Sequence, residues 1–343
     1  MNARPESLLL DAPAILSNPA QAWLQVRAWR GPADLPALAD VFRRSMTADR
    51  IDRIAGRADW DQVRRRGAHY DPALDLQLVE AHGEVVGFLQ TRWCRETTGI
   101  QIYRHFGVLV PEWRRRGLGA AMLACAHRRL REVAGRIGAG RSAYLQATAA
   151  ETQPGLIVLL LSQGYAATRH TYAMVRPNLD QLPNAALPSG IELRCARPVD
   201  YRAIWEAHEE AARDRWGHHT CHPDGFQEWL EDPANQPELW QVAWEGDRVA
   251  GMAMPWVPAE ENQALRRRRG RLHSLVVRRP WRRRGLGQAL VVRSLGRLRD
   301  LGMGEAAAEV DAEDAFGVLR LFAGLGFRPT RRSTIYRRSL HHR

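Results

Sequence analysis

The sequence predicts an α/β (α+β) protein of two tandem domains, and three observations carry that prediction. FGVLVPEWRRRGLGAAMLACAHRRLRE at residues 106–132 recurs as LHSLVVRRPWRRRGLGQALVVRSLGRLRDLG at 272–302, with Trp113 matching Trp281 and Gly117 matching Gly285. The two glycines lie 168 residues apart, about half the chain, whereas a solenoid repeats every roughly 20 to 50 residues. Each copy reads as strand, glycine turn and helix: Leu275-Val276-Val277 is a β-branched run, and Leu290, Val291, Leu295, Leu298 and Leu301 follow at helical spacing until Gly302 closes the pattern. At 343 residues with 45% hydrophobic side chains, the chain has the material for two cores.

Both halves read in the same order. In the first, Leu24–Trp29 is a strand, Ala33–Ser45 a helix and Asp49–Arg66 more helix. Leu76–Ala81 and Val85–Trp93 form a hairpin around His82-Gly83. Strand Ile100–Val110 enters the glycine turn and its helix, followed by strand Ala143–Ala147, a helix through Leu161 that stops at Gly164, and a strand near Thr171–Val175. RPNLDQLPNAALPSG is dense in Pro, Asn and Gly and predicts a linker at 177–190, between domains 1–176 and 191–343. In the second half Ile191–Arg197 opens, Val199–Arg213 and Pro223–Glu231 are helices, and Leu239–Trp244 pairs with Val249–Trp256. Strand Arg271–Val277 feeds the second turn; strand Ala306–Val310, helix Ala315–Leu325 and strand Ser333–Arg338 finish the fold.

Composition narrows the function. The formal charge is +12, but all 50 basic residues are arginine and lysine is absent. Such a bias reflects coding composition more than a polyanion surface, so nucleic acid is set aside as a partner. The cysteines Cys94, Cys125, Cys195 and Cys221 are scattered without a CxxC pair, which fits a reducing cytoplasm and predicts neither disulfides nor a cysteine zinc site. The first 21 residues are too short and polar for a signal or membrane segment, and the longest aliphatic run, Leu156–Leu161, falls far below the roughly 20 residues a bilayer needs.

The repeated turn is an anion cradle. Its glycines let backbone approach a ligand, its free N–H groups open a helix, and its arginines suit phosphate. A dinucleotide fold would need GxGxxG after the first strand of a βαβ unit, which neither copy offers.

The order strand, Arg-x-x-Gly-x-Gly turn, long helix, strand, short helix ending in Leu-Gly-Phe, strand resembles the GNAT superfamily of N-acetyltransferases over both halves, about 150 residues each. The segment Leu321-Phe322-Ala323-Gly324-Leu325-Gly326-Phe327 stands where that family has Leu-Tyr-x-x-Leu-Gly-Phe, and the duplication is similar to the tandem members of mycothiol synthase type. The resemblance implies two domains, each with a mixed, mostly antiparallel sheet, and acetyl-CoA as donor. It puts the coenzyme A diphosphate on Arg282, Arg283, Arg284, Gly285, Leu286, Gly287 and Gln288, and on Arg114, Arg115, Arg116, Gly117, Leu118, Gly119 and Ala120. It implies pantetheine contacts from strand residues Val276, Val277 and Arg278, and from Val108, Leu109 and Val110. Asp314 and Phe322 complete the implied donor site. The C-terminal half keeps more of the pattern, which makes it the expected catalytic half and leaves the N-terminal one a structural or accessory part.

The side chains for chemistry depart from the family. A glutamate is common eleven residues before the turn arginine; here Arg271 and Tyr103 stand there. Two residues on, both halves have histidine, His273 and His105, and His273 is the candidate general base. The tyrosine that protonates the thiolate in relatives is Phe322 here and Leu160 in the first half; a thiol of pKa about 8.5 leaves as thiolate at modest cost. Neutralising a lysine-like amine at pH 7 costs about 4 to 5 kcal/mol and an α-amine about 1 to 1.5, so the site favours a low-pKa amine or a route through water, with a small-molecule or peptide amine as the expected acceptor. Its pocket is expected from residues 212–230 and 256–262, including Asp214, Trp216 and Trp256. The run His218-His219-Thr220-Cys221-His222 invites a metal, but adjacent histidines rarely share one and no second ligand pair follows; no metal is expected. The rival reading is a non-catalytic acyl-CoA-binding or regulatory protein.

Overall fold

The computed structural model describes residues 24–56, 60, 63, 69–219, 225–232 and 234–341. Among them the strands form one twelve-stranded sheet. The N-terminal half supplies β1 (Leu24–Ala28), α1 (Leu35–Ala48), the short α2 (Pro72–Asp75), β2 (Leu76–Ala81), β3 (Glu84–Arg95), β4 (Gln101–Leu109), α3 (Leu118–Ile137), β5 (Ala143–Ala150), α4 (Pro154–Ser162) and β6 (Ala166–Arg176). The C-terminal half repeats the series as β7 (Glu192–Arg194), α5 (Tyr201–Ala212), α6 (Gly225–Leu230), β8 (Gln241–Glu245), β9 (Arg248–Trp256), α7 (Ala259–Ala264), β10 (Arg269–Val277), α8 (Leu286–Asp300), β11 (Glu305–Asp311), α9 (Val318–Gly324) and β12 (Arg328–Ser339).

The strand order, β1-β2-β3-β4-β5-β12-β6-β11-β10-β9-β8-β7, exchanges the last strand of each half. β12 pairs with β5, β6 pairs with β11, and the two exchanged strands pair with one another, all antiparallel. Only β4 with β5 and β10 with β11 run parallel. The exchanged strands carry many arginines and polar residues (AATRHTYAMVR and RPTRRSTIYRRS), and both run longer than the sequence predicts because each is paired on both edges. Residues 177–190 hold no helix or strand, yet Leu179 is buried in the C-terminal core and Leu182, Ala185 and Leu187 pack against it.

One element is corrected. Residues 49–56 are not helical; of the rest of the expected Asp49–Arg66 helix only Trp60 and Val63 are described, and both are helical. Arg50 takes a left-handed backbone (φ 52°), and the Ile51 N–H returns to Met46 O, which ends α1 there. Residues 1–23, the first two residues of the expected Pro223–Glu231 helix, and Cys221 with His222 also lie outside the described residues.

The two parallel pairs are short and fork. β10 and β11 are paired from Arg269↔Glu305 to Leu272↔Ala308 and then separate; β4 and β5 run from Gln101↔Ala143 to Arg104↔Gln146 and then separate. The first residues past the last pair are His273 and Glu309 in one fork, His105 and Ala147 in the other. Beyond the fork each strand has a ladder partner on one side only, so alternate N–H groups face open space.

Candidate functional site

The C-terminal turn is built as an anion nest. Arg283 (φ 62°) and Gly285 (φ 84°) are both left-handed, and Gly285 is the N-cap of α8 with no side-chain cap. Among the described residues, no backbone acceptor is found for the N–H groups of residues 283–288; the first helical bond there is Ala289 N–H to Gly285 O. Left-handed residues two apart turn successive N–H groups toward one point. A Cβ built on Gly285 would meet nothing within 4 Å, so the space beside that residue is open.

A cavity of about 470 Å³ runs from this turn to the fork. Arg282, Arg283, Gly285, Leu286, Gly287 and Gln288 line one end; Leu275, Val276 and Val277 line its floor; Asp314 and Phe322 lie on the α9 side; His273, Arg215 and Trp216 close it at the fork. The structure thus brings together most of the donor residues the sequence predicts for the C-terminal half.

Four of them differ from expectation. The Arg282 guanidinium is fixed by the protein: Nε donates to Val277 O at 2.8 Å and a terminal nitrogen pairs with Asp214 at 2.7 Å. Arg284 folds back toward Ser189 O and Glu245, outside the cavity lining. The Arg278 N–H is already donated to Ala250 O and its side chain to Val249 O and Glu210. Asp314 accepts the N–H groups of Phe316 and Val318, organising the entry to α9. That leaves Arg283 as the turn arginine that lines the cavity without a described ion pair.

On the acceptor side, Asp214 does not face the fork. It holds Arg279 and Arg282, and the Arg279 hydrogen bond, with Arg282, keeps its carboxyl down to about 2. Trp216 lies between the guanidinium groups of Arg337 (4.3 Å) and Arg169 (5.2 Å), one from each exchanged strand. Trp256 lines a different cavity of about 360 Å³. His218 and His219 engage the N-terminal half, through Thr97 N–H to His218 O and the Glu96↔His219 bridge.

His273 sits in a β-bulge. The β9 register passes from Leu272↔Pro255 to Ser274↔Met254, leaving His273 as the extra residue, a distortion that re-aims a side chain. Its ring is open to the cavity but enclosed by protein mass, which lowers its pKa from the usual histidine value; His208 and Arg215 act in the same sense and Asp232 opposes them. The neutral, proton-accepting form therefore dominates at pH 7. Behind it, Ser274 Oγ is 3.0 Å from His208 Nε2.

Two cavity-lining side chains escaped the sequence reading. Arg215 projects into the cavity and donates to Leu275 O on the floor strand. Glu309, on β11 directly past the fork, lines both cavities. A signal for it existed: it is the acidic residue within the otherwise apolar stretch Ala306–Val310.

The N-terminal turn has the same backbone, with Arg115 at φ 62° and Gly117 at φ 82°. Arg114 is fixed like its counterpart, to Leu109 O, Asp49 and Ser45. The Val110 N–H is donated to Val86 O, Leu118 is buried in the first helical turn, and Arg116 stacks over Trp113 at 4.8 Å. Gly119 and Ala120 open α3, and Val108 and Leu109 end β4. The fork, however, is filled. His105 Nε2 and His127 Nε2 each lie 2.7 Å from the Tyr165 hydroxyl, all three residues buried. A hydroxyl donates one proton, so one ring accepts it and the other donates its own Nε2–H. Burial presses His105 down to about 3 and His127 to about 4.

Residues 201–327 match the family model described as acetyltransferase (GNAT) family. The mycothiol acetyltransferase of Salinispora arenicola (strain CNS-205) is 27% identical over 176 residues, 51% of this chain and 52% of that protein. That of Catenulispora acidiphila is 28% identical over 158 residues, 46% of this chain and 47% of the other. The chain thus spans about half the length of the curated relatives it matches. A GCN5-related N-acetyltransferase from Sphaerobacter thermophilus superposes with a TM-score of 0.72 at 26% identity, covering 93% of this chain and 96% of its own. A tandem GNAT protein from the clavulanic acid biosynthesis pathway gives 0.66 at 20% identity, covering 93% and 99%. The chain has the tandem GNAT fold, and the expected α/β class with mixed sheet and flanking helices holds. No helix among the described residues is long and apolar enough to cross a membrane.

Proposed function

We propose that this chain transfers the acetyl group of acetyl-CoA to a primary amine, with the chemistry in the C-terminal half and the N-terminal half as an accessory part. The observation that carries the proposal is the continuous cavity joining the open N–H groups of residues 283–288 to the β10–β11 fork. Space left in front of Gly285, a nest of free donors and Arg283 suit a diphosphate. The floor strand Leu275–Val277 orients the pantetheine arm through its backbone, and its outward N–H groups polarise the thioester carbonyl.

His273 takes the proton of the acceptor amine. Its lowered pKa keeps it neutral and able to accept, at the expense of basicity, so an amine of low pKa is the matching substrate. Phe322 cannot protonate the departing sulfur, which leaves as thiolate into the cavity that Arg215 and Arg283 line.

The test is a pair of measurements on the full chain. Gly285→Glu fills the nest with bulk and negative charge and is expected to abolish CoA binding by calorimetry, while Gly117→Glu leaves it in place. Wild-type protein should release CoA thiol from acetyl-CoA in the presence of an amine panel. Unchanged CoA affinity in Gly285→Glu would move the donor site elsewhere. Tight CoA binding without transfer to any amine would favour the rival, a non-catalytic acyl-CoA-binding protein.

A further inference from the structure

The second cavity, of about 360 Å³, lies beside the first and shares Ala308 and Glu309 with it, so the two meet at the fork. It is built by both halves: residues 52–56 and strand β6 come from the N-terminal half, and Trp256, Arg271 and the β12 residue Arg331 from the C-terminal one. Its size is that of a small-molecule site.

Most of its charge is spent internally. Asp52 pairs with Arg267 and Arg269, Glu261 with Arg267 and Arg271, and Glu305 with Arg269. Glu309 and Arg331 stand outside these pairs. Glu309 receives a hydrogen bond from the Thr171 hydroxyl at 3.1 Å, and among the described residues no ion pair to it is found. Arg331 has a buried Nε with no hydrogen-bond partner, and burial lowers its pKa, with Glu309 acting favourably on it from a distance. A buried N–H lacking an acceptor is costly, and a ligand anion on this guanidinium would satisfy it.

We infer that this second cavity is the acceptor pocket and that it takes a primary amine bearing a carboxylate. This rests on the acetyl-transfer reading of the first cavity. Glu309 receives the ammonium end at the fork, opposite His273 on the neighbouring strand, and Arg331 receives the carboxylate. His273 takes one ammonium proton and so frees the lone pair; the nitrogen then bonds to the acetyl carbon, the carbon–sulfur bond breaks to release the thiolate, and the second nitrogen proton is lost to solvent. The ligand thereby completes both charges that the protein leaves open, and the N-terminal half becomes a wall of the site.

The experiment uses the full chain and a set of free α-amino acids, each beside its C-terminal amide, measured for binding by calorimetry with CoA present and for acetyl transfer. At least one acid is expected to bind, its amide weaker by roughly 10- to 100-fold, the scale of a charge-assisted hydrogen bond. Arg331→Gln should erase the difference between acid and amide with KM for acetyl-CoA unchanged, and Glu309→Gln should weaken both. If acid and amide behave alike in wild-type protein, or if no member binds or reacts, the carboxylate class is wrong. Transfer to uncharged amines alone would sink this pocket and leave acetyl transfer standing; carboxylate-dependent binding without transfer would do the reverse.

Discussion

Lowering the pH from 7 to 5 should destabilise this protein through the plug in its N-terminal fork. His105 and His127 are buried as neutral rings on the Tyr165 hydroxyl, with pKa values pressed down to about 3 and about 4. An unfolded histidine titrates near 6.5. The unfolded state therefore binds more protons throughout the window between those values. The stability these rings contribute is present above about pH 6.5 and is lost as pH falls through the window toward the folded values. At pH 5 each ring has lost about 2 kcal/mol relative to pH 7, about 4 for the pair taken as independent. The assay is urea unfolding followed by tryptophan fluorescence at pH 7, 6 and 5. His105→Gln keeps a donor and an acceptor for Tyr165 but cannot protonate, and should remove about half of the pH-dependent loss. Equal stability at pH 7 and 5, or a pH dependence in His105→Gln identical to wild type, would refute the buried neutral pair.

His273→Ala should lower amine-dependent acetyl transfer without weakening CoA binding. In wild type the acid limb of the rate profile should lie below pH 6.5, because the ring's pKa is lowered; an unaltered profile in the variant would remove His273 as the base. Gly251→Ala should cost about 1 to 3 kcal/mol in chemical unfolding, since its Cβ would lie 2.8 Å from Val276 O; a neutral result would show that β9 and β10 can part. Residues 1–176 and 177–343 expressed separately should fail to give stable monomers and should recover on co-expression, because each lacks the strand it receives from the other; a well-folded isolated half would argue against that dependence.

The local grammar of this fold was legible in the sequence. Trp-Arg-Arg-Arg-Gly-Leu-Gly announces a backbone nest, and its duplication announces two halves, because both depend on a few adjacent residues. What was hidden depends on partners far away. Arg282 looked like a phosphate ligand until Asp214 and Val277 O were found to hold it. The exchange of β6 and β12 leaves no mark in either strand, since both are held by pairing on two edges and not by an alternating apolar face. The bulge at His273 arises from the register with β9, which no single strand encodes.

The two forks show how duplication can yield one open site and one closed one from the same backbone. By register, His105 corresponds to His273, His127 to Leu295 and Tyr165 to Phe327. In the N-terminal half the second imidazole and the hydroxyl draw His105 inward, and β4 runs past it without a bulge. In the C-terminal half Leu295 and Phe327 are buried in the apolar core and offer no polar partner. An inward His273 would be a buried imidazole with neither hydrogen bond made, a cost of about 1 to 3 kcal/mol for each unsatisfied group. The bulge removes that cost by turning the ring toward the cavity. The two apolar side chains behind it thus help to keep His273 turned toward the cavity, although neither lines it.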